Sequence, residues 1–172
     1  YVSAWNNKGL ALSNLKKYDE AIVCYDGAIQ IDEKYVSAWN NKGTALYYLN
    51  KYDEAIVCYD GAIQIDEKNV YAWNNKGNAL SNLNKYDEAI VCYDRAIQID
   101  EKYVFAWMNK IDSLIIIGNY EEALKISLHC LEKFEDDEEE FVGDLIKIYQ
   151  KTGNKAKENE YKERLRKIKD LK

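Results

Sequence analysis

The amino-acid sequence predicts an all-α fold of stacked helical hairpins, and three observations carry that prediction. The stretch Ala-Trp-Asn-Asn-Lys-Gly at Ala4 to Gly9 returns at Ala38 to Gly43 and at Ala72 to Gly77, an interval of 34 residues. The same interval separates Tyr-Asp-Glu-Ala at Tyr18, Tyr52 and Tyr86, and it spaces Trp5, Trp39, Trp73 and Trp107. The sequence has no proline and only 8 glycines in 172 residues, which favours long helices with short connections. A fixed period of this size marks an array of supersecondary units, each burying its apolar face against its neighbours.

Within the first unit, Val2, Trp5, Gly9 and Leu12 recur at helical spacing and predict a helix over about 2–15. A polar break between Leu15 and Tyr18 ends it. Ala21, Tyr25, Ala28 and Ile31 resume the period and predict a second helix over about 19–31, with Asp32, Glu33 and Lys34 connecting to the next unit. Asp19 and Glu20 suit the opening turn of that second helix, where carboxylates meet the positive end of the helix dipole. Gly9 lets the two helices approach, Ala21 and Ala28 do the same from the other side, and Trp5 is expected to fill the larger gaps between neighbours. Burial of about 200 Å² of indole would be worth up to ~5 kcal/mol. Four such units are expected, at 2–35, 36–69, 70–103 and 104–137.

The fourth unit keeps Trp107, Tyr120 and Ala123 but has Ile111 in place of the glycine and Cys130 in place of an alanine, so its hairpin is expected to close less tightly. The acidic run from Glu135 to Glu140 reads as a linker and a negatively charged helix start. Phe141, Leu145, Ile148 and Tyr149 give one further helix; Tyr161, Leu165 and Ile168 give another after a break at Gly153. With the charged face from Lys162 to Lys172, this pair, 138–172, has the character of a terminal cap on the four-unit region 1–137.

Charge and composition exclude several function classes. A net charge of −6 and a pI near 5.0 oppose nucleic-acid binding, which needs a basic stripe. The lysines and arginines near the end are interleaved with Glu158, Glu160, Glu163 and Asp170. No apolar run is long enough to span a membrane and no signal-peptide pattern occurs, so a cytoplasmic protein without membrane partners is expected. The chain opens directly on a repeat, which points to a longer array. Cys24, Cys58 and Cys92 hold one position in three successive repeats, too far apart to bridge, and are expected to be reduced thiols. His129 is the only histidine and no Cys-x-x-Cys pair exists, so neither a metal nor another cofactor is expected. No nucleophile and base pair or phosphate-cradling loop emerges, and the chain is not expected to be an enzyme.

Trp5, Gly9, Ala21, Tyr25 and Ala28, with their counterparts Trp39, Gly43, Ala55, Tyr59, Ala62 and Trp73, Gly77, Ala89, Tyr93, Ala96, resemble the tetratricopeptide repeat family. The match covers 2–103 closely and 104–137 more loosely. Glu33, Glu67 and Glu101 stand where the family usually has proline, which should loosen the turn. Lys8, Lys42 and Lys76 replace an apolar residue, and their stems are expected to lie on apolar surface with the ammonium in water. The resemblance implies a right-handed superhelix, an α-solenoid, with first helices lining a concave groove.

On that implication, the inward positions are where the repeats differ: Ser3, Asn6, Leu10, Ser13 and Asn14 in the first unit become Ser37, Asn40, Thr44, Tyr47 and Tyr48 in the second. The third has Tyr71, Asn74, Asn78, Ser81 and Asn82; the fourth has Phe105, Met108, Asp112, Ile115 and Ile116. Ile115 and Ile116 can equally be core beneath the terminal helices. A second column, Asn7, Asn41, Asn75 and Asn109, is similar to the asparagine ladder that holds peptide backbones in the repeat region of the protein glycosyltransferase that adds N-acetylglucosamine to serine and threonine. An asparagine can donate to a carbonyl and accept from an amide at once; the other reading is that these amides bridge neighbouring helices. Family members that hold chaperone tails use cations where this chain has Tyr71 and Asn75, or Phe105 and Asn109, so that activity is not expected. The expected function is a non-catalytic scaffold that binds an extended protein segment in the groove. The alternative is end-to-end self-association of the array. With no charge inward before Asp112, groove binding should depend weakly on salt.

Overall fold

The computed structural model describes residues 1–170, so Lys172, the far end of the predicted charged face, lies outside the described residues. The described residues form ten α-helices and one 3-10 turn, with no strand among them. They divide into two compact units, Tyr1–Asp100 and Glu101–Lys172.

Unit 1 contains three hairpins: α1 (Val2–Asn14) with α2 (Tyr18–Ile31), α3 (Val36–Tyr48) with α4 (Tyr52–Ile65), and α5 (Val70–Asn82) with α6 (Tyr86–Ile99). Each hairpin closes on a tyrosine laid across a glycine. A Cβ placed on Gly43 would stand 2.6 Å from the Tyr59 ring, and Gly9 and Gly77 meet Tyr25 and Tyr93 in the same way. These rings are fully buried beside invariant small residues such as Ala21, Ala55 and Ala89. The turn inside each hairpin passes through a left-handed residue, Lys16 at φ 59°, Asn50 at 60° and Asn84 at 60°. The amides that follow bond back to helix carbonyls, as Lys51 N does to Leu46 O at 3.0 Å.

Successive hairpins stack because α2 packs on α3 and α4 on α5, while α1, α3 and α5 lie side by side as a row of first helices. Two features of the stacking differ from the sequence-based expectation. The ammonium groups of Lys42 and Lys76 are not simply solvated: at the exposed surface they reach Asp26 and Asp60 on the preceding hairpin, each at 2.6 Å. The turns at Glu33 and Glu67, expected to be looser without proline, are each tied by a hydrogen bond that the sequence did not reveal, the Trp39 and Trp73 indoles donating to their carbonyl oxygens at 2.8 and 3.0 Å. Asp32 and Asp66 add side-chain acceptors for the amides of Lys34 and Lys68. The tryptophans are therefore turn staples as well as filler. Trp39 lies over Gly61, and Trp5, 40% exposed, lies over Gly27 rather than filling an inter-repeat gap.

Unit 2 contains α7 (Val104–Ile116), α8 (Tyr120–Lys133), a 3-10 turn (Glu135–Asp137), α9 (Glu138–Thr152) and α10 (Lys155–Asp170). Here α7 and α8 approach each other less closely than the helices of the earlier hairpins, as the sequence led us to expect. The reason is a paired exchange. Where the other repeats have glycine and tyrosine, this one has Ile111 and Ser127, both fully buried, so the bulk moves from the second helix to the first. The Trp107 indole repeats the staple, donating to Glu101 O at 3.0 Å. The acidic run becomes the turn and the first residues of α9, and Gly153 ends α9 at φ 75°. Val142, Leu145, Ile146, Tyr149 and Tyr161 form the core of the terminal pair, with Tyr149 stacked on Tyr161.

Candidate functional site

Two cavities open along the row of first helices in unit 1, and Tyr48 and Thr44 belong to both. The larger, about 340 Å³, lies between α1 and α3 and is lined by Leu10, Lys16, Tyr18, Asn41, Thr44 and Tyr48 among others. The smaller, about 110 Å³, lies between α3 and α5 and adds Tyr47, Tyr59, Asn75 and Asn78. Tyr48 is 60% exposed and stacks on Tyr18 at 5.3 Å between ring centres. Tyr47 is more deeply set, edge-on to both Tyr48 and Tyr52, and its hydroxyl accepts from Asn82 Nδ2 at 2.9 Å. Tyr71 stands exposed on α5.

The core tyrosines reach this face with their hydroxyls. Tyr93 Oη donates to Asn78 Oδ1 at 3.0 Å and Tyr59 Oη donates weakly to Thr44 Oγ1 at 3.5 Å, while Tyr25 pairs with Ser13 at 3.0 Å. Burial raises the pKa of Tyr25 and Tyr59 despite these bonds, so the hydroxyls stay protonated and offer hydrogen bonds rather than acid-base chemistry.

The asparagines divide into those that hold the stack and those that keep capacity. Asn6 and Asn74 are buried. Asn6 Oδ1 accepts from Asn41 Nδ2 at 2.9 Å, tying α1 to α3. Asn40 Nδ2 donates to Asn69 Oδ1 at 3.2 Å; Asn69 also caps α5 by accepting from Ala72 N. The Asn40 Oδ1 is enclosed and accepts no hydrogen bond among the described residues. Asn7 is exposed, and Asn41 and Asn75 are half-buried at the surface of the row. The structural role of Asn6, Asn40 and Asn69 could not be read from periodicity, because it depends on which amide faces which across two helices.

In unit 2, Phe105 is exposed beside Tyr103, and Met108 and Asn109 are half-buried on α7. Asp112 is held by Lys147 of α9 at 3.1 Å, and the same ammonium meets Asp144 at 2.9 Å. Of the two residues the sequence left open, Ile115 is buried and belongs to the core, while Ile116 is exposed. The four cysteines are buried and unbridged. Burial pushes Cys58 and Cys92 up to about 11 and Cys130 to about 12, so these thiols are poor nucleophiles. Among the described residues no group of three or more histidine, cysteine or carboxylate side chains could hold a metal ion, and no helix is long and apolar enough to cross a membrane.

Comparison with known proteins agrees with this architecture. The tetratricopeptide repeat model matches residues 2–35 and 70–103, and a further TPR repeat model matches 43–83; together they cover more than half of the chain. No curated protein matches in sequence. Among solved structures, the first TPR of Spaghetti (RPAP3), bound to the HSP90 peptide SRMEEVD, is 23% identical with a TM-score of 0.66, over 67% of this chain and 92% of that one. YrrB, described as a TPR protein with an unusual peptide-binding site, is 21% identical with a TM-score of 0.74, over 91% and 80% of the two chains. MamA is 16% identical with a TM-score of 0.86, over 95% of each. The glycine–tyrosine hairpins, the 34-residue period and these matches make the chain a member of the tetratricopeptide repeat family.

Proposed function

We propose that the first-helix face of unit 1 binds an extended segment of another protein and catalyses no reaction on it. The observation that carries this reading is Tyr48, an exposed ring standing between two cavities at positions where the repeats stop being identical. Core positions repeat without change, whereas this face alternates amides, hydroxyls and rings. The structures bearing peptides or peptide-binding sites among the relatives support the same use of the fold. A segment advancing about 3.3 Å per residue past hairpins about 10 Å apart would place roughly three residues on each repeat. Asn7 would bond its main chain, as would the Oδ1 of Asn41 and the Nδ2 of Asn75, whose other amide atoms are engaged by Asn6 and Asn74, and Tyr48 and Tyr71 would supply contact area at low rotamer cost. On unit 2 we assign the same contact role to Phe105, Met108 and Asn109, while Asp112 is engaged by Lys147. The buried, unbridged thiols favour a reducing, cytoplasmic setting.

The test is a contrast between two single variants. Tyr48→Ala removes a ring whose loss leaves the core intact, unlike Tyr47, which is packed against the cluster around Leu46 and Tyr59. Val57→Asp alters an exposed position on α4. The partner's affinity should fall about tenfold or more with Tyr48→Ala, the loss expected of an interface anchor, and stay unchanged with Val57→Asp. The reverse pattern would move the binding surface to the second helices.

A second reading has its own observation. Ala4 and Ala11 on α1 are exposed, whereas their counterparts Ala38, Ala45, Ala72 and Ala79 are buried under the preceding hairpin's second helix. Lys8 lies over the Trp5 ring rather than on an aspartate. This face is shaped for another second helix, and end-to-end association is the reading in which a second copy supplies it. Light scattering that shows a monomer at every concentration would eliminate it.

A further inference from the structure

The larger cavity has one feature that the later repeats lack. Its loop residue is Lys16, at φ 59°, where the next two repeats place Asn50 and Asn84 and the fourth places Gly118. Asparagine and glycine suit the left-handed region and lysine does not, so this position departs from what the turn alone selects. The dipole at the end of a first helix does not call for the extra cation either, because Lys17, Lys51 and Lys85 already supply one at the following position in the first three repeats. Lys17 is paired with Glu20 at 3.0 Å, whereas the Lys16 ammonium meets no carboxylate among the described residues.

The exchange also rearranges the wall. Asn50 and Asn84 accept hydrogen bonds from the hydroxyls of Tyr52 and Tyr86 at 2.7 and 2.9 Å, anchoring those rings to their own loops. With lysine in the loop that bond cannot form, and Tyr18 instead stacks on Tyr48 of the next hairpin at an interplanar angle of 13°. Leu10 stands where the next repeats have Thr44 and Asn78, so the cavity combines an apolar patch, two ring faces and one cation. Lys16 lies in the loop that follows α1, at the edge of the first-helix row.

We infer that the cavity between α1 and α3 is a selectivity subsite for an acidic side chain adjacent to an apolar one, with the Lys16 ammonium pairing the carboxylate and Leu10, Tyr18 and Tyr48 holding the apolar neighbour. The inference rests on the groove reading above and adds a charge requirement to it. The resulting salt dependence is that of a single ion pair, small beside a surface that binds chiefly through its charge.

The experiment is a double-mutant cycle read by amide chemical shifts. The probes are the end-capped tetrapeptides Gly-Phe-Glu-Gly and Gly-Phe-Gln-Gly, and the proteins are wild type and Lys16→Gln, a surface change that keeps a flexible polar side chain and removes the charge. Both peptides should shift resonances of Leu10, Tyr18 and Tyr48. The glutamate peptide should bind wild type roughly two- to fivefold more tightly than the glutamine peptide at low salt, the range of an exposed ion pair. That preference should vanish in Lys16→Gln, and in wild type at about 1 M salt. Equal affinities in wild type, a preference that survives Lys16→Gln, or shifts confined to other residues would each overturn the subsite. An absence of shifts for both peptides would overturn it as well. The groove reading fails separately, on the contrast between Tyr48→Ala and Val57→Asp.

Discussion

The tyrosine laid over a glycine is the residue-scale rule of this protein, and the fourth hairpin shows how it can be rewritten. A methyl group on Gly43 would stand 2.6 Å from the buried Tyr59 ring, so Gly43→Ala should cost about 1–3 kcal/mol, the usual range for overpacking. The exchange seen at Ile111 and Ser127 leads us to expect that Gly43→Ile with Tyr59→Ser loses less stability than the two single variants added together; additivity in denaturant unfolding would contradict this. The need for glycine was legible from its period. The compensation was not, because Ser127 shares a hydroxyl with tyrosine but none of its bulk, and only its burial reveals the link. Asp144 is a second residue whose behaviour only the structure exposes. Burial pushes its carboxyl up to about 6, against the pull of Lys147 and with Asp112 and Glu140 adding to the rise. A folded value above the unfolded one means that its contribution is present below about pH 4 and is lost as pH rises through 6. The stability of wild type relative to Asp144→Asn should therefore fall by up to ~3 kcal/mol between pH 4 and pH 7. A difference that stays flat across that range would show that the carboxyl titrates normally.

At the scale of elements, the helices were readable and their ties were not. The expected first and second helices, 2–15 and 19–31, differ by a residue at each revised end from α1 (Val2–Asn14) and α2 (Tyr18–Ile31). Apolar spacing and turn residues carry that information locally. The Lys42–Asp26 and Lys76–Asp60 pairs join hairpins and needed the relative placement of two helices to be seen. So did the indole bonds, which show why the turns hold without proline. Trp39→Phe keeps most of the contact with Gly61 and removes the donor to Glu33 O, so it should cost about 1 kcal/mol, a typical net hydrogen bond. A loss near zero in thermal unfolding would reduce the staple to a packing contact. The inward column was legible as a list of positions, yet Asn6 and Asn74 proved to be enclosed while Asn41 and Asn75 remain nearer the surface.

For the molecule as a whole, repetition fixes a scaffold and leaves a face free to vary. Cys58, Cys92 and Cys130 are buried and their thiols are held at about 11 to 12, so a thiol reagent should label the native protein slowly at pH 7.5 and reach all four cysteines, Cys24 included, on denaturation without reductant. Rapid native labelling would mean that the hairpins open more readily than their packing implies. The central claim is that the row formed by α1, α3 and α5 is the binding face. Its most direct test is photo-crosslinking with benzoylphenylalanine placed singly at Tyr48 or Tyr71 on that row, or at Val57 or Val91 on the second helices, all exposed positions. Partner segments should be captured from Tyr48 and Tyr71 and not from Val57 or Val91; capture from the valine positions alone would contradict the account.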